Sequence, residues 1–316
     1  HDLTLLVNML KTKRPAYSET EAAFCELYLE PTFGKPDEHG NYVHIIPKKD
    51  GKHSKVCFTA HTDTVHSKEG MQHLRLDEGI LTAINSDCLG ADCTTGLWLM
   101  LGMIEAGIPG VYCAFAAEEI GGLGSTALVV DNPDWISEVD FVISFDRYGT
   151  DSIITDQFST QTASDEFAAD LANILNMPQL KPDPTGSYTD SYEFKGVVAE
   201  CTNLSVGYNK QHTSKESQDL WYVQALLKKL IAADWDYLMP YREANDDDIW
   251  SNSGSGWYSQ QGQPSTPKGK DYSDHLNNSA NKGYVSKHGL DDNGVTAIRR
   301  LIESRPSSVA MLLFEY

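Results

Sequence analysis

The sequence of 316 residues predicts an α/β fold in which a mixed, mostly parallel central sheet is flanked by helices. Three short apolar runs, at 56–60, 111–117 and 141–145, are typical of parallel strands that are covered on both faces. Residues 94–106 are apolar nearly all round, which is typical of a buried crossover helix between the first two runs. Strands that alternate with helices in this way indicate an α/β sheet.

The other elements follow from periodicity and from turn signals along the chain. We expect helices at 3–10, 19–29 and 165–175, strands at 42–47 and 198–206, and a long helix at 220–235. The last helix is expected because its apolar residues recur at a spacing of three and four. These elements predict one domain over residues 1–242.

The remainder of the chain divides into two segments of different composition. Residues 243–283 contain no Val, Phe or Met and are rich in polar residues, so we predict a polar linker or mobile segment without a core of its own. Residues 284–316 regain a helical apolar face and an apolar run, which predict a C-terminal helix and strand extension docked on the domain.

Composition excludes several classes of function. The formal net charge of −20 would repel phosphate backbones and anionic lipid, so we expect no nucleic-acid partner. No run of about 18 apolar residues is present, so no membrane partner is expected either. The N-terminus lacks the pattern of a signal peptide and the six cysteines are sparse, which favours reduced thiols and a cytoplasmic protein. A leader removed before His1 would instead make the protein a secreted one.

The residues that follow the apolar strands are of the types that bind metal ions. In open α/β sheets, ligands bind beyond the carboxyl ends of the strands. The residues of interest at these ends, and at the start of the buried helix, are His61, Asp63, Asp92, Glu118, Glu119, Asp146 and His212. Two imidazoles and several carboxylates form the nitrogen and oxygen set that Zn²⁺ takes, and two such ions can share one carboxylate.

Each of these residues also has an ordinary structural explanation. A single histidine after a strand is usually a hydrogen-bonded surface residue, and an aspartate before a helix, such as Asp92, is usually an N-cap. Adjacent glutamates such as Glu118 and Glu119 usually lie on a solvated face. Together these residues occupy five strand-end or helix-start positions. That all five are filled with residues of metal-ligand type is difficult to explain as coincidence, and this favours the metal site.

Five motifs resemble those of the co-catalytic di-zinc aminopeptidases, a family of zinc exopeptidases related to aminopeptidase S, glutamate carboxypeptidase and the glutaminyl cyclases. The motifs are HTDT at 61–64, LGADCTTG at 89–96, AAEEIGGLGS at 116–125, FDRYGTD at 145–151 and VGYNKQHT at 206–213. A sister group of exopeptidases carries a lid domain before the last histidine. Only 65 residues, from Arg147 to Gln211, lie in that position here, so we expect no lid and a monomer rather than a lid-mediated dimer.

The resemblance implies a role for each candidate residue. His61 and Asp146 would hold one zinc, Glu119 and His212 would hold the other, and Asp92 would bridge both. It also implies that Asp63 orients His61 and that Glu118 is the general base that activates a water molecule between the two Zn²⁺ ions. The family commonly has a second aspartate where this chain has Cys93, which we interpret as a buried thiol.

The implied activity is that of an aminopeptidase acting on peptides or small peptide-like substrates. A carboxypeptidase would need a fixed cation for the terminal carboxylate. Near the motifs only Arg147 and Lys210 are candidates, and strand alternation predicts that Arg147 points away from the metals. A carboxypeptidase, a deacylase or a glutaminyl cyclase on the same scaffold remains an alternative, as does a binding protein without catalysis. The segment 187–190 resembles the wall of the substrate pocket, although it could equally be a turn with a helix cap.

Overall fold

The computed structural model describes residues 2–244. The predicted segments 243–283 and 284–316 therefore lie outside the described residues, except for Glu243 and Ala244. Within the described part of the chain, none of the helices has the length and apolar character that crossing a membrane requires.

A sheet of seven strands forms the centre of the fold. In spatial order these strands are β12 (Lys181–Asp183), β9 (Ser152–Ile154), β13 (Glu200–Ser205), β8 (Phe141–Arg147), β3 (Val56–His61), β7 (Gly110–Phe115) and β2 (Tyr42–Ile46). The four strands from β13 to β7 run parallel to one another, whereas β2 and β9 are antiparallel to their inner neighbours. The predicted mixed, mostly parallel sheet is confirmed. The carboxyl ends of the four parallel strands therefore meet at one edge.

Helices cover both faces of this sheet. Those of residues 2–244 are α1 (Leu3–Met9), α2 (Glu19–Tyr28), α3 (Glu30–Phe33), α4 (Ala91–Glu105), α5 (Leu123–Asp131), α6 (Asp165–Ile174) and α7 (Leu220–Ala232), with 3₁₀ turns at Asp134–Glu138, Asp190–Gly196 and Trp235–Tyr237. Helix α4 packs against β3 and β8 and is buried from Ala91 to Met103, as its apolar sequence predicts. Gly96 allows this approach, because a Cβ atom there would collide with the Phe145 carbonyl oxygen.

A second, smaller sheet of four strands was not predicted. It consists of β5 (His73–Asp77), β6 (Ile80–Ile84), β14 (Tyr208–Asn209) and β15 (Ser217–Asp219), in the order β14-β15-β6-β5. The remaining short strands are β1 (Thr12–Lys13), β4 (Gly70–Met71), β10 (Asp156–Gln157) and β11 (Thr160–Gln161). The pairing of β15 with β6 ties the loop that carries His212 to the hairpin β5-β6.

Among the element boundaries that differ from the sequence prediction, two have a local cause in the backbone. The strand predicted over 111–117 ends at Phe115, because Ala117 takes a left-handed conformation with φ of 60° and the chain turns there. The helix predicted over 220–235 ends at Ala232, because Ala233 is extended and Trp235 begins a 3₁₀ turn. No lid interrupts the region between Arg147 and Gln211, since it contributes β9, β12, β13 and α6 to the main fold.

Candidate metal centre

The first half of the candidate site is built on the ends of two adjacent parallel strands. His61 is the last residue of β3, and Asp146 is the penultimate residue of β8. Nε2 of His61 lies 3.8 Å from Oδ1 of Asp146. The His61 side chain is 1% exposed and that of Asp146 is 12% exposed, so both groups are enclosed by the edge of the sheet.

Asp63 fixes both His61 and the turn that carries the two glutamates. Nδ1 of His61 lies 3.3 Å from Oδ1 of Asp63 and 3.1 Å from its carbonyl oxygen. The same carboxylate accepts hydrogen bonds from the backbone N–H groups of Glu118, at 3.0 Å, and of Glu119, at 3.1 Å. Because Nδ1 is engaged in this way, Nε2 is the nitrogen of His61 that faces the cavity.

The two glutamates separate in a turn beyond the end of β7. The left-handed Ala117 reverses the chain after Phe115, and the carbonyl oxygen of Glu118 accepts two backbone hydrogen bonds that close the turn. Glu118 is 8% exposed and its carboxylate lines the cavity. Oε1 of Glu119 lies 3.1 Å from Nε2 of His212. The two adjacent carboxylates therefore have different neighbours, which allows them to have different roles.

The second half of the site joins the start of α4 to a distant loop. Asp92 lies in the first turn of α4, and its Oδ2 lies 2.9 Å from Nε2 of His212. His212 takes a left-handed conformation with φ of 58° and its side chain is 46% exposed. Ligand atoms of Asp92, Glu119 and His212 lie within 4.8 Å of one another, and so do those of His61, Glu118 and Glu119. The structure thus brings all the predicted ligand residues to one cavity of about 160 Å³.

The close approach of these groups shifts several of their pKa values. The hydrogen bond to Asp92, followed by that to Glu119, raises the pKa of His212 to about 11. Burial raises the pKa of Glu119 to about 7 and that of Glu118 well above its usual value. For Asp92 the hydrogen bond from His212 and the charge of His61 outweigh the effect of burial and lower the pKa. Crowded carboxylates with imidazole nitrogens fit divalent cations, which would neutralise the cluster.

Cys93 lies behind the site and does not line the cavity. It is fully buried, and its Sγ lies 3.0 Å from Nη2 of Arg14. The same nitrogen donates to Oγ1 of Thr94 at 2.7 Å, and Nε of Arg14 donates to the Thr62 carbonyl oxygen at 2.6 Å. Arg14 therefore joins the segment after His61 to the start of α4. Sequence reasoning missed this residue, because an arginine in the basic stretch KTKRP gives no signal of burial.

The wall of the cavity contains the segment 187–190 only in part. Ser187 and Tyr188 line the cavity. Asp190 lies behind them and is 1% exposed, and neither of its carboxylate oxygens has a hydrogen-bond partner among the described residues. Burial, opposed by the charge of His61, raises the pKa of Asp190 to about 8.

Arg147 lines the cavity, so the prediction that it points away from the proposed metal ligands is wrong, and its guanidinium is partly engaged elsewhere. Nη2 donates to Asp183 and to Thr185, each at 3.0 Å, and the group stacks over the Tyr148 ring at 4.1 Å. Among the described residues that line the cavity, Arg147 is the only arginine or lysine. Nε of Arg147 has no hydrogen-bond partner among the described residues, so this guanidinium is only partly satisfied by Asp183 and Thr185.

Comparison with known proteins identifies a family and a fold. The sequence profile described as Peptidase family M28 matches residues 41–219. Aminopeptidase PepT from Bacillus cereus is 15% identical with a TM-score of 0.61, over 73% of this chain and 96% of that one. A tripeptidase from Staphylococcus aureus is 14% identical with a TM-score of 0.57, over 73% and 96%. The TET1 peptidase of Pyrococcus horikoshii, described as assembling into a tetrahedron or an octahedral shell, is 13% identical with a TM-score of 0.50, over 69% and 94%. No curated protein sequence matches significantly.

Proposed function

The chain belongs to peptidase family M28 and is a metal-dependent hydrolase of peptide bonds, and we propose that it is a di-zinc aminopeptidase that uses Glu118 as its general base. The observation that carries the proposal is the convergence of His61, Asp92, Glu119, Asp146 and His212 on one cavity. His212 contributes most to the argument, since its Nε2 lies within 3.1 Å of carboxylates from two other segments. Zinc is the ion that this nitrogen and oxygen set favours.

The proposed ligands divide into two pairs and a shared residue. His61 and Asp146 would hold one zinc, Glu119 and His212 the other, and Asp92 would contact both. When bound, the two ions would lower the pKa of a water molecule and polarise the carbonyl group of the substrate. Asp63 supports this arrangement by holding His61 and the backbone of Glu118 with one carboxylate.

Glu118 is proposed to move the proton. Its carboxylate lines the cavity beside the proposed ligands, and the scheme assigns no metal to it. It would take a proton from the attacking water and return it to the leaving amine. Glu119 is the metal ligand in this scheme, because it is the glutamate that contacts His212.

The charge of the cavity supports action at a free N-terminus. A substrate ammonium group can be received by the carboxylates of the lining. A carboxypeptidase would require a cation that binds the terminal carboxylate, and Nη2 of Arg147 is already bonded to Asp183 and Thr185, which in the described part of the chain leaves its Nε as the unpaired donor of that group. Carboxypeptidase, deacylase and glutaminyl cyclase activities are therefore less well supported than aminopeptidase activity.

Two measurements on the purified chain test this proposal together. Metal analysis should find close to two zinc ions per chain, and an unblocked aminoacyl anilide should be cleaved. Acetylation of the substrate amine should abolish cleavage, because the acetylated group has no charge for the carboxylates to bind. Cleavage of the acetylated anilide at an equal rate would refute the aminopeptidase assignment, and absence of bound metal would favour a binding protein.

We further propose that the chain acts as a monomer in the cytoplasm, with peptides as its partners. All six cysteines are free and buried, which is consistent with a reducing compartment. A tetrahedral or octahedral assembly is described for TET1 from Pyrococcus horikoshii, so the oligomeric state needs a direct measurement. Light scattering after gel filtration should give the mass of a single chain, and a multiple of that mass would contradict the monomer.

A further inference from the structure

Helix α4 begins without a cap from its own sequence. The N-cap position is Gly90, which has φ of 70° and offers no side-chain acceptor. A side chain is excluded there, because a Cβ atom would lie 2.8 Å from Cγ2 of Thr64 and 3.3 Å from Cε1 of His66. The N–H group of Cys93 is bonded to Oδ1 of Asp92 at 2.8 Å, and the N–H groups before Asp92 must be satisfied from elsewhere in the chain.

Glu216 supplies the missing cap from a segment 125 residues away. Its Oε2 accepts hydrogen bonds from the N–H groups of Leu89, at 2.8 Å, and Gly90, at 3.1 Å. Its Oε1 accepts a hydrogen bond from Ala91 at 2.7 Å. A carboxylate is well suited to a helix N-terminus, where the backbone dipoles favour negative charge. With an exposed fraction of 1%, Glu216 is as buried as the residues of the core.

The two ends of this connection each lie beside a proposed metal ligand. Asp92 directly follows the capped segment, and His212 lies four residues before Glu216. The backbone of the loop that carries His212 is strained, since Lys210 and His212 both take left-handed conformations, which are unfavourable for residues other than glycine. Glu216 closes this loop, with its own N–H bonded to the Thr213 carbonyl oxygen at 3.0 Å.

We propose that Glu216 is a positioning residue of the metal centre, which holds Asp92 and His212 in binding geometry before a metal arrives. The inference rests on the proposed function, because it assumes that these two residues are ligands. Glu216 itself is not among the residues that line the cavity, so it is not proposed to contact substrate or metal. Its removal should therefore lower metal affinity by about 10- to 100-fold, as the loss of other groups that orient ligands does.

The chain provides a matched control in Glu200. This carboxylate is also fully buried and accepts backbone hydrogen bonds from Ser164, Tyr241 and Arg242, at 2.7, 2.8 and 3.2 Å. It lies at the amino end of β13, where it pairs with Phe141 at the start of β8, so it lies at the opposite edge of the sheet from the ligands. Glu200→Ala removes a similar set of bonds without touching a ligand segment.

The experiment compares three proteins, the parent, Glu216→Ala and Glu200→Ala. Zinc affinity is measured by competition with a chromophoric chelator, and the melting temperature of each metal-free protein is measured separately. We expect both variants to melt earlier and only Glu216→Ala to bind zinc more weakly. Glu216→Gln keeps one carbonyl oxygen as an acceptor, so it should bind zinc with an affinity between those of the parent and Glu216→Ala. If Glu216→Ala does not fold, Glu216→Gln takes its place in the comparison.

The outcomes separate this inference from the proposed function. Zinc affinity in Glu216→Ala equal to that of the parent, or an equal loss in Glu200→Ala, would overturn the positioning role alone. A parent that binds no zinc would overturn both proposals.

Discussion

The two halves of the candidate site differ in what holds them in place. His61 and Asp146 lie on neighbouring parallel strands, and the hydrogen bonds of the sheet determine their separation. Asp92 and His212 lie on a helix start and on a loop, and their proximity depends on contacts made by other side chains. Folding of the sheet therefore brings the first pair together, and Asp63 orients His61 within it, whereas the second pair needs connections between separate segments.

The two histidines also differ in exposure. The His61 side chain is 1% exposed, whereas that of His212 is 46% exposed. The carboxylates do not follow this division, since Asp146, in the strand half with His61, is 12% exposed, and Asp92 and Glu119, in the loop half with His212, are 3% and 9% exposed. His212 is therefore the exposed member of the site.

The largest expected effect tests the residue that lies between the two halves. Glu118→Gln should lower kcat by about 10²- to 10⁴-fold, because the amide cannot accept the proton from water. Zinc content should remain that of the parent, since Glu118 is not a proposed ligand. The comparison variant, Glu119→Gln, should lose metal from the loop half, because it removes the carboxylate that contacts His212. Equal metal loss in both variants would refute the division of roles.

The sequence was sufficient for the strand half because its signal is local. Apolar runs located the buried strands, and the residues that follow such runs in a parallel sheet meet at one edge, as His61 and Asp146 do. Asp92 was found in the same way, at the start of an apolar helix. These positions could be predicted without knowledge of any contact.

The residues that hold the loop half could not be predicted, because their signal lies in tertiary contacts. Glu216 stands in the polar stretch HTSKES, where nothing marks it as buried, and its partners are more than 120 residues away. The burial of Arg14 could not be predicted either, since no sequence pattern distinguishes a buried arginine from an exposed one. The hairpin β5-β6, by contrast, could have been predicted. His73–Asp77 alternates between exposed and half-buried residues, and this period of two is present in the sequence.

A smaller effect is expected when the strand half loses its orienting carboxylate. Asp63→Ala should weaken zinc binding by about 10- to 100-fold, because His61 and the turn of Glu118 and Glu119 lose a common acceptor. Asn41→Ala is the control, since Asn41 holds the base of the same turn through Ala116 and Gly124 without touching a ligand. If Asn41→Ala weakened zinc binding as much, general loosening of the turn would explain the result.

The loop half should also make zinc affinity depend on pH. The hydrogen bonds to Asp92 and Glu119 raise the pKa of His212 to about 11, so in the metal-free protein this imidazole carries a proton at neutral pH. Metal binding must release that proton, so acid favours the metal-free form and affinity falls by about tenfold per pH unit for each proton released. Calorimetric titration in buffers of different ionisation enthalpy should detect this release. Zinc affinity that does not change between pH 6 and pH 8 would contradict it.

The smallest expected effect is a difference in affinity between the two metals. The His212 side chain is 46% exposed, so water can compete with the loop-half metal for this ligand, whereas the His61 side chain is 1% exposed. We therefore expect the loop-half metal to bind about tenfold more weakly than the other, which corresponds to about 1.4 kcal/mol. Titration with a chelator should then remove the zinc in two steps, and the Glu119→Gln variant should show only the later one. A single step that removes both ions at once would mean that Asp92 couples the halves so tightly that neither holds a metal alone.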